Sequence, residues 1–245
     1  MLHCVYIPVG LHARTKEGPS PVRGRGKQMQ IRVYGTHPAP VDWTALAACC
    51  APDKYKRIHS MRDPHAQQLS AAGALLLAYA LQETFGLRPS PSDFGLTGVH
   101  GKPVLRPYPH LGFNLSHSGS LVLCAVADAP VGVDIQQRIS ASDALARRVL
   151  SPPAYQAYRS AEDADAFFCQ TWALKESYCK YTGAGLAQGL RSFTVYPDAN
   201  GAVHSTLCHP VFHLLDVPDG YAAALCSRPC TRPVVHWIEP PQLLL

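Results

Sequence analysis

Charge is scarce in this sequence. Asp, Glu, Lys and Arg make up 16% of its 245 residues, against about one quarter in an ordinary soluble domain. Hydrophobic residues stand at 47%, so disorder throughout is excluded and a sizeable core can be filled. Long hydrophobic runs are lacking too. The longest, around Ala71 to Leu81, carries Gly73 and falls short of the roughly 18–20 apolar residues that cross a bilayer. An integral membrane protein is therefore not expected. Cys-x-x-Cys pairs are absent among the nine cysteines. That argues against a zinc site and, with the odd count, for a reducing compartment. The N-terminus lacks a continuous apolar segment and a good cleavage site, so no secretory signal is read and a cytoplasmic location is expected. Lys plus Arg exceed Asp plus Glu by 22 to 17, a net charge of +5. That mild excess suits a protein handling anions, but no Lys/Arg block interleaved with aromatics points to nucleic acid.

Residues 1–28 differ from the rest. Five Arg/Lys lie between Arg14 and Lys27 among Gly and Pro, which reads as a flexible tail or a mis-assigned start. Strand-like Gln30 to Tyr34 follows. Helical patterns come next: after the capping Asp42, from Asp53, and from about His65 to Thr84 with Gly86 closing the last. Gly98 to Pro103 reads as a turn. Phe113–Leu115, Leu121–Ala127 and Val131–Gln136 read as strands. Helices are expected at 142–150, 152–160 and about 164–182. Strands are expected at Ser192–Tyr196, Ala202–Leu207, Val211–Leu215, Tyr221–Cys226 and Val234–Ile238, with an Asn200-Gly201 hairpin turn. Phe113-Asn-Leu…Gly119…Cys124…Pro130 to Ile135 faintly echoes Phe212-His-Leu…Gly220…Cys226…Pro233 to Ile238, which favours two related α+β halves.

Three segments carry chemistry. Gly112-Phe-Asn-Leu-Ser-His-Ser-Gly119 ends a strand in small polar residues, where backbone amides can meet an anion and His117 adds a donor. It also reads as an ordinary polar hairpin turn. In Val131-Gly-Val-Asp-Ile-Gln136, alternation puts Asp134 and Gln136 on one face and Val133 and Ile135 on the other. Two oxygen-bearing side chains there suit a hard cation, or simply an exposed strand face. In Trp172-Ala-Leu-Lys-Glu-Ser-Tyr-Cys-Lys180, a helix places Trp172, Glu176 and Lys180 on one face. Glu176 could complete a cation site or take a proton and Lys180 could neutralise a phosphate. The bland alternative is a surface Glu–Lys pair worth about 0.2–0.5 kcal/mol.

The ordered set of FNLSHSG, GVDI and W-x-x-K-E-S-x-x-K, with Gly101-Lys-Pro103 before and Gly183-Ala-Gly-Leu186 after, resembles the 4′-phosphopantetheinyl transferase superfamily. The resemblance covers roughly residues 30–230 and is to the surfactin-type, two-lobed monomeric branch. It implies an α+β fold of two similar lobes related by pseudo-twofold symmetry, 29–132 and 133–245, with the active site between them. It also implies transfer of the phosphopantetheine arm of coenzyme A to a serine of an apo acyl or peptidyl carrier protein, releasing adenosine 3′,5′-bisphosphate. Mg²⁺ is the implied cofactor, with Mn²⁺ as an alternative. Asp134, Gln136 and Glu176 are the implied metal ligands, and Glu176 the general base. Lys180 and His117 join Glu176 in catalysis. Ser116 and His117 are assigned to the pyrophosphate, Lys180 to the transferred phosphate, and Arg62 and Lys102 to the nucleotide end, with Lys54 and Arg57 weaker candidates. Trp172 is read as packing, and Lys175 as serving the fold or a partner surface.

Two departures from the family pattern stand out. Gln136 replaces an acid found in many surfactin-type members, which should weaken cation binding. Gln67-Gln68 stand where basic residues often occur. A competing reading keeps the fold and drops the chemistry, leaving a coenzyme A or carrier-protein binding module.

Overall fold

The computed structural model describes residues 29–98, 101–185 and 189–244. The segment expected as a tail, 1–28, lies outside them, as does Leu186. The protein is α+β. Eleven strands are described: β1 (Ile31–Thr36), β2 (Phe94–Thr97), β3 (Lys102–Leu105), β4 (Gly112–Ser118), β5 (Leu121–Ala127), β6 (Val131–Gln137), β7 (Val195–Pro197), β8 (Val203–Ser205), β9 (Val211–Leu215), β10 (Tyr221–Ser227) and β11 (Val235–Trp237). The α-helices are α1 (Trp43–Cys49), α2 (Pro52–His59), α3 (Pro64–Phe85), α4 (Asp143–Val149), α5 (Pro152–Ser160) and α6 (Ala164–Thr182). Asp42, Asp63 and Asp163 each accept a backbone N–H at a helix start, as their short carboxylates allow. Gly86 and Gly183 end α3 and α6 in the left-handed conformation.

Two principal sheets form, in the orders β11-β1-β5-β4 and β6-β10-β9. Alternation along β5 decides what each face meets. Leu121, Leu123, Ala125 and Ala127 pack with Val131, Val133 and Ile135 of β6 and Ala223 and Leu225 of β10 in an apolar layer shared by the two sheets. Val122, Cys124 and Val126 point the other way, into a core built on α3. On β10, Ala222 and Ala224 pack into the clusters of α6. Gly132, Asp134 and Gln136 have the opposite alternation from the apolar residues of β6.

Gly132 is what lets α6 lie close. A Cβ at that position would run into the Ser177 carbonyl oxygen and the Tyr181 backbone nitrogen. The strand therefore needs glycine where the helix backbone crosses it.

Some expected elements came out differently. Of the expected Gly98–Pro103 turn, Lys102 and Pro103 belong to β3, which pairs antiparallel with β2 from Phe94↔Leu105 to Thr97↔Lys102, while residues 99–100 lie outside the described residues. The strand expected from Ser192 begins only at Val195, since Leu190–Ser192 form a 3₁₀ turn after the positive-φ Gly189. The strand expected at 234–238 leaves β10 and joins β1 in parallel, with Val33↔Val235 and Gly35↔Trp237. Thr36 Oγ1 donates to Ile238 O at 2.8 Å. Trp237 lies over Gly35, where a Cβ would meet the indole ring. Among the described residues no helix is long and apolar enough to cross a membrane.

Candidate active site

The FNLSHSG segment is strand through Ser118 and turns at Gly119 and Ser120. Its alternate polar side chains are stitches to β6. Val133 N donates to Asn114 Oδ1 at 2.9 Å, Ile135 N to Ser116 Oγ at 3.3 Å, and Gln137 N to Ser118 Oγ at 2.9 Å. β4 and β6 belong to different sheets, so these N–H groups lack a strand partner on that side. Three side chains at period two supply the acceptors that a backbone ladder would otherwise give. Asn114 and Ser118 were not singled out as functional from the sequence. The sequence shows a polar residue at every second position, which does not by itself say what those side chains reach.

Ser116 does more than stitch. Its hydroxyl donates to Asp134 Oδ1 at 2.8 Å and accepts from Lys180 Nζ at 2.8 Å. With Ile135 N, its one proton and two lone pairs are all engaged. Lys180 Nζ also donates to Asp134 Oδ1 at 2.6 Å and to Val133 O at 3.2 Å. The structure thus joins residues 116, 134 and 180, contributed by β4, β6 and α6.

Asp134 is buried, at 5% exposure, and its other oxygen, Oδ2, is buried with no hydrogen-bond partner among the described residues. Burial raises the Asp134 carboxyl above the ordinary carboxylate range despite the pull of Lys180 and Ser116. Glu176, one turn before Lys180 on α6 and half-buried, is raised for the same first reason and by the Asp134 charge. Two desolvated carboxylates that repel one another are the oxygen donors that could hold a small hard cation, although among the described residues no group of three or more His, Cys, Asp or Glu gathers as a metal site. Gln136 emerges from β6 two residues beyond Asp134, with its amide nitrogen donating to Gln137 O at 2.7 Å. That leaves its amide oxygen uncommitted among the described contacts.

His117 alternates to the other side of β4. Its ring is pushed below the usual imidazole value, first by partial desolvation, then by the charges of Lys180 and Lys54, so it is neutral at pH 7. On that side lies a cavity of about 640 Å³, lined by Lys54 and Arg57 of α2, Pro103, Arg106, Phe113 and Leu115. Lys54 and Arg57, weak candidates in the sequence, thus meet at one cavity. Arg106 was missed, since nothing about its spacing ties it to α2. Arg62 is exposed in the link between α2 and α3. Gln67, at the departure noted above, donates to Ile58 O at 3.1 Å and fastens α3 to α2.

Lys102, implied at the nucleotide end, reaches α6 in the structure. Gly101 and Pro103 line the cavity, whereas the Lys102 side chain turns the opposite way. Its Nζ donates to Lys180 O at 2.7 Å and Tyr181 O at 2.9 Å. Lys175 serves the fold. It is fully buried, donating to Leu190 O at 2.7 Å and Phe193 O at 2.6 Å, over the Phe193 ring. Burial pushes its ammonium down to about 8. Trp172 packs against Phe168 in the α4–α6 cluster.

A buried carboxylate, a serine hydroxyl and a lysine ammonium drawn together from β6, β4 and α6, with Glu176 beside them, form the candidate active site. Comparison with known proteins narrows this. The family described as 4′-phosphopantetheinyl transferase, N-terminal, matches residues 36–129, and the 4′-phosphopantetheinyl transferase superfamily matches residues 130–226. The chain is 37% identical over 164 residues to the Bacillus pumilus 4′-phosphopantetheinyl transferase psf-1, covering 64% of this chain and 69% of that one. It is 32% identical over 182 residues to a Bacillus subtilis 4′-phosphopantetheinyl transferase, covering 71% and 79%. Against the 4′-phosphopantetheinyl transferase Sfp of Bacillus subtilis strain 168 it is 30% identical over 181 residues, again covering 71% and 79%. The chain belongs to the 4′-phosphopantetheinyl transferase superfamily, in its Sfp-type branch.

Proposed function

We infer that this enzyme transfers the 4′-phosphopantetheine arm of coenzyme A to a serine of an apo acyl or peptidyl carrier protein. The observation that carries the reading is the joining of Asp134, Ser116 and Lys180, with Glu176 beside them, within a chain of this family. The carrier serine Oγ forms a bond to the phosphorus that bears pantetheine. The bond from that phosphorus to the oxygen of the adenosine 5′-phosphate breaks, and adenosine 3′,5′-bisphosphate leaves. Asp134 through Oδ2, Glu176 and the Gln136 amide oxygen would hold Mg²⁺. A cation held there would supply positive charge to offset that of the phosphates.

Each side chain has its own task. Glu176 takes the serine proton. Lys180 supplies positive charge to the transferred phosphate, exchanging one of its present acceptors for a phosphate oxygen. His117 meets the pyrophosphate from the cavity side. Ser116 orients Asp134. The cavity with Lys54, Arg57 and Arg106 receives the nucleotide end, since guanidinium groups suit phosphate, and Arg62 of the α2–α3 link is assigned to the same end by the family resemblance. The strand orders β1-β5-β4 and β6-β10-β9 support two halves related by pseudo-twofold symmetry with the site between them. One chain then supplies both halves, which fits action as a cytoplasmic monomer.

Intact-protein mass spectrometry tests the reading. An apo carrier protein incubated with this enzyme, coenzyme A and Mg²⁺ should gain about 340 Da, the mass of one transferred phosphopantetheine, and EDTA should abolish the gain. Coenzyme A binding without mass gain on acyl and peptidyl carriers alike would leave only a binding module.

A further inference from the structure

Lys102 stands apart from the basic residues around the cavity. The residues on either side of it, Gly101 and Pro103, face the cavity, and its own ammonium does not. It reaches from β3 to the far end of α6 and donates to the carbonyls of Lys180 and Tyr181. Those carbonyls belong to the last turn of a helix, where the final four C=O groups have no partner within the helix. A cation is favoured there by the helix dipole as well. The contact is close along the stem. A Cβ on Gly183, the left-handed residue that ends α6, would come within 3.3 Å of Lys102 Cδ.

Lys180 is therefore held at both ends. Its carbonyl is gripped by Lys102, and its ammonium grips Asp134 at 2.6 Å. β3 lies in the part of the chain matched by the N-terminal family region, and α6 in the part matched by the superfamily region. We propose that Lys102 is a positioning residue that clamps the C-terminal turn of α6 and so fixes Lys180 against Asp134. The clamp acts on the chemical step, not on affinity for the nucleotide. Its kinetic consequence rests on the transferase reading above, whereas its structural consequence does not.

The test uses the full chain with coenzyme A, an apo acyl carrier protein and Mg²⁺. Lys102→Met keeps the stem and removes the charge. It is expected to lower kcat about tenfold or more, with KM for coenzyme A changed by less than about twofold. The calorimetric Kd for adenosine 3′,5′-bisphosphate should likewise stay within about twofold of the wild-type value. Amide exchange, followed peptide by peptide, should quicken over 178–183 and stay unchanged in β4. Lys102→Arg, which can still donate to both carbonyls, should recover most of the lost kcat. A Kd for the bisphosphate raised about tenfold with kcat unchanged would return Lys102 to nucleotide binding and overturn the proposal. So would unchanged exchange over 178–183. Should Lys102→Met fail to fold, Lys102→Gln, which keeps a donor without the charge, decides by the same split between kcat and Kd. If the wild-type enzyme transfers nothing, the functional reading fails, and the exchange measurement still decides the clamp.

Discussion

Gly132 and Ser177 are in contact through backbone alone, the strand residue lying directly beneath the helix carbonyl. Neither partner is the end of a flexible side chain, so an added methyl has nowhere to go. Gly132→Ala should cost about 3 kcal/mol or more in urea unfolding, above the usual overpacking penalty. Any variant that folds should bind Mg²⁺ weakly, because α6 must move away from β6 and carry Glu176 with it. Wild-type stability in this variant would contradict the packing described.

Glu176→Gln should abolish transfer and yet raise the melting temperature in metal-free buffer at pH 7. The Glu176 carboxyl is raised in the folded protein by burial and by Asp134. Between its unfolded and folded pKa values the folded state then holds more protons, so stability falls as pH rises through that window. The gain from the substitution should accordingly be larger at neutral pH, shrink as pH falls through the raised folded value, and be lost below about 4.3, the unfolded value. Differential scanning calorimetry from pH 3.5 to 7 measures this, and a gain that grew on acidification would reverse the sign of the argument.

Lys175 offers the opposite titration. Its folded pKa of about 8 lies below the unfolded value, about 10.4. The unfolded state therefore binds more protons between these values, and stability rises with pH there. Lys175→Met leaves the carbonyls of Leu190 and Phe193 without their donor and should cost about 1–3 kcal/mol at pH 7. The gap between wild type and variant should widen from pH 8 to 10, read from urea midpoints. A constant gap would mean that Lys175 is not charged and buried together.

Asn114→Ala removes the acceptor for Val133 N. It should cost about 1–3 kcal/mol, the penalty for a donor left unpaired. Exchange of the Val133 amide should quicken with that of its β6 neighbours, which NMR would resolve residue by residue.

Gln136→Glu should tighten Mg²⁺ binding by placing a third carboxylate beside Asp134 and Glu176. Calorimetric titration of the free protein with Mg²⁺ checks this without any turnover assay. An unchanged titration would take Gln136 out of the metal set.

Local patterns in the sequence carried over well. The period of two in β6 put Asp134 and Gln136 opposite Val133 and Ile135, and the i,i+4 spacing in α6 put Glu176 and Lys180 on one face. These depend on a single element each. What was hidden depends on two. Nothing in residues 112–119 says that the polar side chains reach across to the N–H groups of another sheet. Nor does Lys102 announce that it faces away from its neighbours, since the turn residues Gly98 and Gly101 obscured the short hairpin around it. Lys175 defied the rule that lysine stays outside, because two carbonyls of the segment after α6 were there to receive it.

The pairing of β1 with β11 has a consequence for how the protein is made. Thr36 and Ile238, which share a hydrogen bond, are 202 positions apart. Ribosomes add about 5–20 residues per second, so β1 waits about 10–40 s for its last neighbour. In that interval β5 can cover one side of β1, and the other stands open as a row of unpaired backbone groups. Such an edge recruits strands from other nascent chains. The aggregation hazard in this protein is therefore timed by translation of its second half, and slowing that half, or overproducing the chain on crowded polysomes, should lower the soluble yield more than any change to the first.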